Sequence, residues 1–106
     1  MSDILKTIEA DIQSNDVILY MKGDKTMARC GFSSVILQML QRLDVPFKAV
    51  DVLQDEAVRQ GIKDFSNWPT IPQLYIKGEF MGGCDIVKEL YLSGALEEKF
   101  KEHNLI

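Results

Sequence analysis

Cys30, in Cys30-Gly31-Phe32-Ser33, is where residue type and spacing point most directly to chemistry. It follows an apolar run and precedes a helical pattern. A second cysteine at the position of Ser33 would make an internal redox pair. A hydroxyl cannot close a disulfide, so any sulfur that works with Cys30 comes from elsewhere, as an external thiol or through a shared metal cluster. A thiol at a strand-to-helix junction meets unpaired N–H groups and the positive end of the helix dipole. With cations nearby, such placement lowers a thiol pKa from about 8.5 into the range of roughly 3.5–7.5. Lys22 and Arg29 are the cations near in sequence. Cys30 is therefore predicted to be largely thiolate at neutral pH. The rival reading, a buried structural cysteine, fits the loop context poorly.

Other residues could take part. Gly31 allows close backbone approach to a ligand, and Phe32 stands exposed at a helix head unless it covers one; simple loop packing is the rival for Phe32. Ile71-Pro72 is an X-Pro bond, cis in only about 5–6% of cases; a cis bond turns the Ile71 N–H and C=O outward, free to pair with an extended peptide. Cys84-Asp85 follows two glycines at a helix start. Backbone N–H groups there can hold a carboxylate while Asp85 holds an ammonium. An ordinary N-cap is the rival for Asp85. Cys84 is either a small core residue or a resolving thiol for Cys30. Arg59 and Lys63 are four apart and share a helix face; taken singly, these two and Lys22 read as solvated charges. His103, the single histidine, lies in a polar tail, so neither a Cys–His protease arrangement nor a zinc site of usual ligand count is available.

The elements that must position these residues follow from patterning. The chain has 106 residues, 46% of them hydrophobic, which suits one small domain spanning 1–106. A net charge of −4 with no Lys/Arg run argues against nucleic-acid binding, and the apolar runs are too short for a membrane span of roughly 20 residues. No basic flank and apolar stretch opens the chain, so a secretory signal is not expected. Two cysteines do not suggest a disulfide scaffold, and a reducing, cytoplasmic setting is the default.

Asp3–Ile12 reads as an amphipathic helix with Ile4, Leu5, Ile8 and Ile12 on one face. Val17–Met21 is a buried strand. After the polar segment Gly23–Arg29, a helical face of Val35, Ile36, Met39, Leu40 and Leu43 runs to a stop at Pro46. Phe47–Val52 reads as a second strand. Asp55 can cap the next helix, in which Gly61 should cost about 1 kcal/mol relative to Ala. Two prolines keep 68–72 out of a helix. Leu74–Ile76 and Glu79–Met81 form a hairpin around Lys77-Gly78. A helix opens at Cys84 or Asp85 and stops at Gly94, and a last one carries Leu96 and Phe100. The order α-β-α-β-α-β-β-α-α combines a βαβ and a ββα unit. It gives an α/β, thioredoxin-like fold with a mixed four-stranded sheet flanked by helices.

Met21-Lys22-Gly23, Cys30-Gly31-Phe32-Ser33, Trp68-Pro69-Thr70-Ile71-Pro72-Gln73 and Gly82-Gly83-Cys84-Asp85, in this order and spacing, resemble the monothiol glutaredoxin family, in its short single-domain bacterial form. The resemblance covers nearly the whole chain. It implies that Pro72 is cis and that the ligand is reduced glutathione. By the same resemblance, Lys22 and Arg59 hold the glycine carboxylate, Ile71 pairs with the peptide backbone, and Cys84-Asp85 grips the γ-glutamyl end. It further implies a homodimer bridged by a [2Fe–2S] cluster, with one Cys30 thiolate per chain and one from each glutathione, which meets the cluster's need for four thiolates. BolA-type proteins and Fe–S acceptor proteins are the implied partners. One departure is the loop 23–29, which lacks the proline relatives often carry before the motif.

Three functions follow. The leading one is a carrier that assembles, holds and transfers iron–sulfur clusters, with little or no turnover activity. The second is a glutathione-dependent thiol-disulfide oxidoreductase that works through a Cys30 mixed disulfide. The third is an interaction module for a BolA-type partner. Ser33 and the resemblance favour the carrier.

Overall fold

The computed structural model describes residues 3–106. Helix α1 (Asp3–Ser14) leads into strand β1 (Val17–Met21), helix α2 (Gly31–Arg42) and strand β2 (Lys48–Asp51). Helix α3 (Glu56–Ser66), the hairpin β3 (Gln73–Ile76) and β4 (Glu79–Gly82), and helices α4 (Cys84–Ser93) and α5 (Ala95–Glu102) follow. The strands lie in the order β2-β1-β3-β4. β1 runs parallel to β2 and antiparallel to β3, and β3 runs antiparallel to β4.

Every residue of β1 is buried, and the period-2 alternation of strand side chains explains why. Val17, Leu19 and Met21 face one core with Ile36, Leu40, Val87 and Phe100. Ile18 and Tyr20 face the other, with Ile8, Ile12, Ile62 and Tyr75. Helices α2, α4 and α5 thus cover one side of the sheet, and α1 and α3 cover the other. A strand sandwiched between two helical layers reads as a continuous apolar run, which is how Val17–Met21 is written.

Three local details differ from or extend the sequence expectations. First, β2 ends at Asp51, and Val52–Gln54 is a 3-10 turn. The Asp51 carboxylate accepts from the Leu53 N–H at 2.9 Å and so opens that turn, which removes Val52 from the strand. Second, α1 runs two residues past Ile12, to Ser14. Third, Gly61 marks a close approach. A Cβ there would lie 2.9 Å from Ile8 Cδ1 and 3.2 Å from Ile4 Cγ1, so the missing side chain lets α1 and α3 pack together. The hairpin turn takes positive φ at both Lys77 (52°) and Gly78 (81°). That is the type I′ geometry that matches strand twist.

Candidate functional site

Cys30 is the N-cap residue of α2, with extended backbone (φ −147°, ψ 136°). Its thiol closes no conventional capping hydrogen bond. Even so, its pKa lies below the ordinary thiol value. The Ser33 N–H is the main cause, and partial burial opposes it. The Phe32 N–H, the Lys22 ammonium and the Ser33 hydroxyl add to the lowering. The helix N-terminus thus does most of the work and Lys22 a lesser share. The Arg29 guanidinium acts on Asp24, whose carboxylate is anchored by Thr26 and Met27.

Ser33 is fully buried. Its Oγ accepts the Lys22 N–H at 3.1 Å, joining the head of α2 to the end of β1. On the other side of Lys22, the Gly23 N–H donates to Asp51 Oδ1 at 3.0 Å, and Lys22 O accepts the Arg29 N–H at 2.8 Å. Lys22 is therefore fixed by three elements. The loop 23–29 folds back through a bridge between Gly23 and Ala28. Gly23 has φ +98°, and a Cβ there would fall 2.3 Å from Met27 O, so this fold-back needs glycine.

Beside Cys30 lies an open cleft of about 460 Å³. Lys22, Cys30 and Phe32 line it from β1 and the head of α2, and Lys63 from α3. The loop 68–72 contributes Trp68, Ile71 and Pro72, and the head of α4 contributes Cys84 and Asp85. The Ile71–Pro72 bond is cis. Phe32 is 62% exposed at the rim. Helix α4 has Gly83 as its N-cap and no side-chain capping bond, which leaves its first N–H groups uncapped, and Gly83, Cys84 and Asp85 at its head line the cleft.

Of the residues expected at the site, Lys22, Cys30, Phe32, Ile71, Pro72, Cys84 and Asp85 line this cleft. Arg59 does not. It pairs with Glu56 at 3.5 Å, and its side chain is about one-third exposed. Lys63, one helical turn further on, lines the cleft in its stead. The i, i+4 spacing put both on one face but carried no sign of which reached the cleft. Trp68 and Gly83 also take part: the Trp68 Nε1 is buried without a partner, and a Cβ on Gly83 would sit 3.2 Å from it.

Both cysteines are free thiols, and they differ. Burial pushes the Cys84 thiol up, and the negative charges of Asp85 and Cys30 push it further, against a smaller opposing effect from Lys88. Of the two thiols, Cys30 is the one whose surroundings favour the thiolate, and Cys84 the one whose surroundings oppose it. Among the described residues no three His, Cys, Asp or Glu side chains could jointly hold a metal ion, and no helix is long and apolar enough to cross a membrane.

The family model described as glutaredoxin matches residues 17–81. A probable monothiol glutaredoxin of Rickettsia typhi is 52% identical over 98 residues, which covers 92% of this chain and 88% of that protein. A monothiol glutaredoxin of Synechocystis is 53% identical, covering 86% and 85%. A chloroplastic monothiol glutaredoxin of Oryza sativa subsp. japonica is 52% identical, but this chain spans only 57% of its length. Among solved structures, a monomeric truncated mutant of Trypanosoma brucei 1-C-Grx1 aligns with a TM-score of 0.88 at 36% identity, covering 100% of this chain and 96% of that one. A buckwheat glutaredoxin–glutathione complex aligns with a TM-score of 0.85, covering 97% and 92%; at 23% identity it speaks for the fold alone.

Proposed function

The chain belongs to the glutaredoxin family, on its monothiol side, and from that premise we propose that it binds glutathione and carries a [2Fe–2S] cluster between proteins. The observation that carries this reading is the inequality of the two thiols. Cys30 has a lowered pKa at a helix N-terminus, while Ser33, where a resolving cysteine could stand, is buried and committed to Lys22.

Glutathione complements the cleft. It brings two carboxylates and an α-ammonium; the cleft offers the Lys22 and Lys63 ammonium groups, the uncapped head of α4 and the Asp85 carboxylate. In this reading Lys22 and Lys63 hold the glycine carboxylate, Ile71 and Pro72 lie along the peptide, and Cys84-Asp85 takes the γ-glutamyl end. Arg59 joins only by leaving its pairing with Glu56, which as an exposed ion pair is worth about 0–1 kcal/mol.

The cluster is cargo here. It takes four thiolates, and this chain has one thiol poised as a thiolate. A set of two Cys30 thiolates and two glutathione thiolates, in a bridged homodimer, fits that count. Such a cluster lies near the rim, open to transfer to acceptor proteins or to a BolA-type partner. Free cysteines suit a reducing, cytoplasmic setting.

The lowered Cys30 thiol also favours a second activity on the same residue. Its thiolate attacks the glutathione sulfur of a glutathionylated protein, releases the protein thiolate, and is freed by a second glutathione, which leaves as the disulfide. Calorimetric titration with reduced glutathione tests the ligand. Binding that weakens in Lys22→Ala and Asp85→Asn is expected; heat that is unchanged in both would refute the assignment. Turnover on a glutathionylated peptide that survives in Cys84→Ser is expected for a glutathione-resolved cycle, and its loss would assign Cys84 as a resolving thiol.

A further inference from the structure

Two polar side chains are fully buried among the described residues, Ser33 and Gln73. Ser33 sits behind Cys30. Gln73 sits behind the other half of the cleft, the loop 68–72, and lines no part of the cleft itself. Its Nε2 donates to Trp68 O at 3.2 Å and to Thr70 O at 3.1 Å. Its Oε1 accepts the Tyr75 hydroxyl at 3.1 Å. Burial pushes the Tyr75 pKa up to about 12, against a smaller lowering by the Ser66 hydroxyl, so the Tyr75 hydroxyl stays protonated across the working pH range. A donor on Oε1 fixes which end of the amide faces the loop, and the NH2 end then meets two carbonyls with its two hydrogens.

The same loop is gripped from its other side. The Trp68 N–H donates to Ser66 Oγ at 3.1 Å, at the end of α3. The Trp68 ring packs edge-on to Phe80, centroids 5.8 Å apart, and Phe80 leans on Tyr75 at 5.3 Å. The loop in turn packs against Gly83, the N-cap of α4. The placement of Trp68–Pro72 therefore sets how far the loop stands from Cys84 and Asp85.

We propose that Gln73, oriented by Tyr75, is a positioning residue that holds the loop 68–72 in register with the head of α4 and so sets ligand affinity without touching the ligand. No other common side chain supplies two donors and one acceptor at this length: Glu would set a carboxylate or a single O–H against two carbonyls, Met supplies no donor, and Asn is one methylene short. Naming glutathione as the ligand rests on the function proposed above; the loop's anchoring does not.

Trp68 is the single tryptophan and lies in the loop, so its fluorescence reads the loop directly. The test compares the full-length wild type with Gln73→Met, Tyr75→Phe and the double variant. It reads acrylamide quenching of Trp68, glutathione affinity, and the pH profile of Cys30 alkylation. Gln73→Met is expected to raise quenching and to weaken glutathione binding roughly tenfold, the scale of one or two lost hydrogen bonds. The Cys30 profile should stay in place, because Ser33 and α2 are untouched; general loosening would move it. Tyr75→Phe should shift quenching the same way in the wild type and add nothing in Gln73→Met. Unchanged quenching in Gln73→Met, or additive effects in the double variant, would overturn the proposal. If Gln73→Met does not fold, Tyr75→Phe decides: higher quenching with an unmoved Cys30 profile upholds it, and unchanged quenching overturns it. A wild type that does not bind glutathione would remove the ligand reading while quenching still settles Gln73.

Discussion

Ser33→Ala separates two roles that the Cys-Gly-Phe-Ser motif combines. The hydroxyl accepts the Lys22 N–H at 3.1 Å in a fully buried position and also favours the Cys30 thiolate. Removing it leaves a backbone donor without a partner, which costs about 1–3 kcal/mol. Lys22 is only partly buried and water can reach some of that N–H, so the lower half of the range applies, about 1.5 kcal/mol. Unfolding entropy of about 2.1 cal/mol/K per residue gives about 0.2 kcal/mol/K for a chain of this size, so Tm should fall by about 7 °C. The thiol should respond differently. Its largest stabiliser is the Ser33 backbone N–H, which alanine retains. The Cys30 pKa should therefore rise only part of the way and stay below the ordinary value. Thermal unfolding gives the first number, and thiolate absorbance near 240 nm against pH gives the second. An unchanged Tm would refute the bond to Lys22. A Cys30 pKa that returns fully to the ordinary thiol value would refute the primacy of the helix N-terminus.

Other outcomes follow from the same structure. Because the folded Cys30 pKa is depressed, the folded state holds fewer protons than the unfolded one between that pKa and the ordinary thiol value of about 8.5. Stability from this group rises with pH through that window and is lost below it; the stability difference between wild type and Cys30→Ser should track the window in denaturant titrations. Gly61→Val should destabilise by about 2–3 kcal/mol, since overpacking against Ile8 and Ile4 outweighs a helix-propensity gain of under about 0.5 kcal/mol; chemical denaturation reads it. Asp51→Ala should cost about 2 kcal/mol, because the Gly23 and Leu53 N–H groups lose a shared acceptor, and it should raise amide exchange in the loop 23–29.

Much of this fold was legible because its signals are local. A strand buried on both faces has to be apolar throughout, and Val17–Met21 is. Lys77-Gly78 and Gly94 occupy positions of positive φ, which turn and helix-stop chemistry mark in any sequence. Val52 misled because a β-branched residue after a strand reads as more strand, while the carboxylate that ends the strand, Asp51, acts through a bond three-dimensional structure alone reveals. Gly61 read as a helix defect because its reason, the approach of α1, lies some fifty residues away in the chain. The site shows the same division. Cys30, Pro72 and Asp85 sit where turns and helix starts announce them. Lys63 and Arg59 share one face, and their separate destinations depend on the Glu56 ion pair and the placement of the loop 68–72. Ser33 showed in sequence only as a missing sulfur; its burial against Lys22 is a tertiary fact. Gln73 occupies a strand position where a polar residue conflicts with the pattern, and that conflict was the one available sign of its place behind the cleft.

The most direct test of cluster carriage is anaerobic reconstitution with iron and sulfide, with and without reduced glutathione, read by visible absorbance and by mass in solution. The expected product is a coloured dimer that requires glutathione, persists in Cys84→Ser and is absent in Cys30→Ser. A colourless monomer under all conditions, or a coloured species that forms without glutathione or survives loss of Cys30, would contradict it.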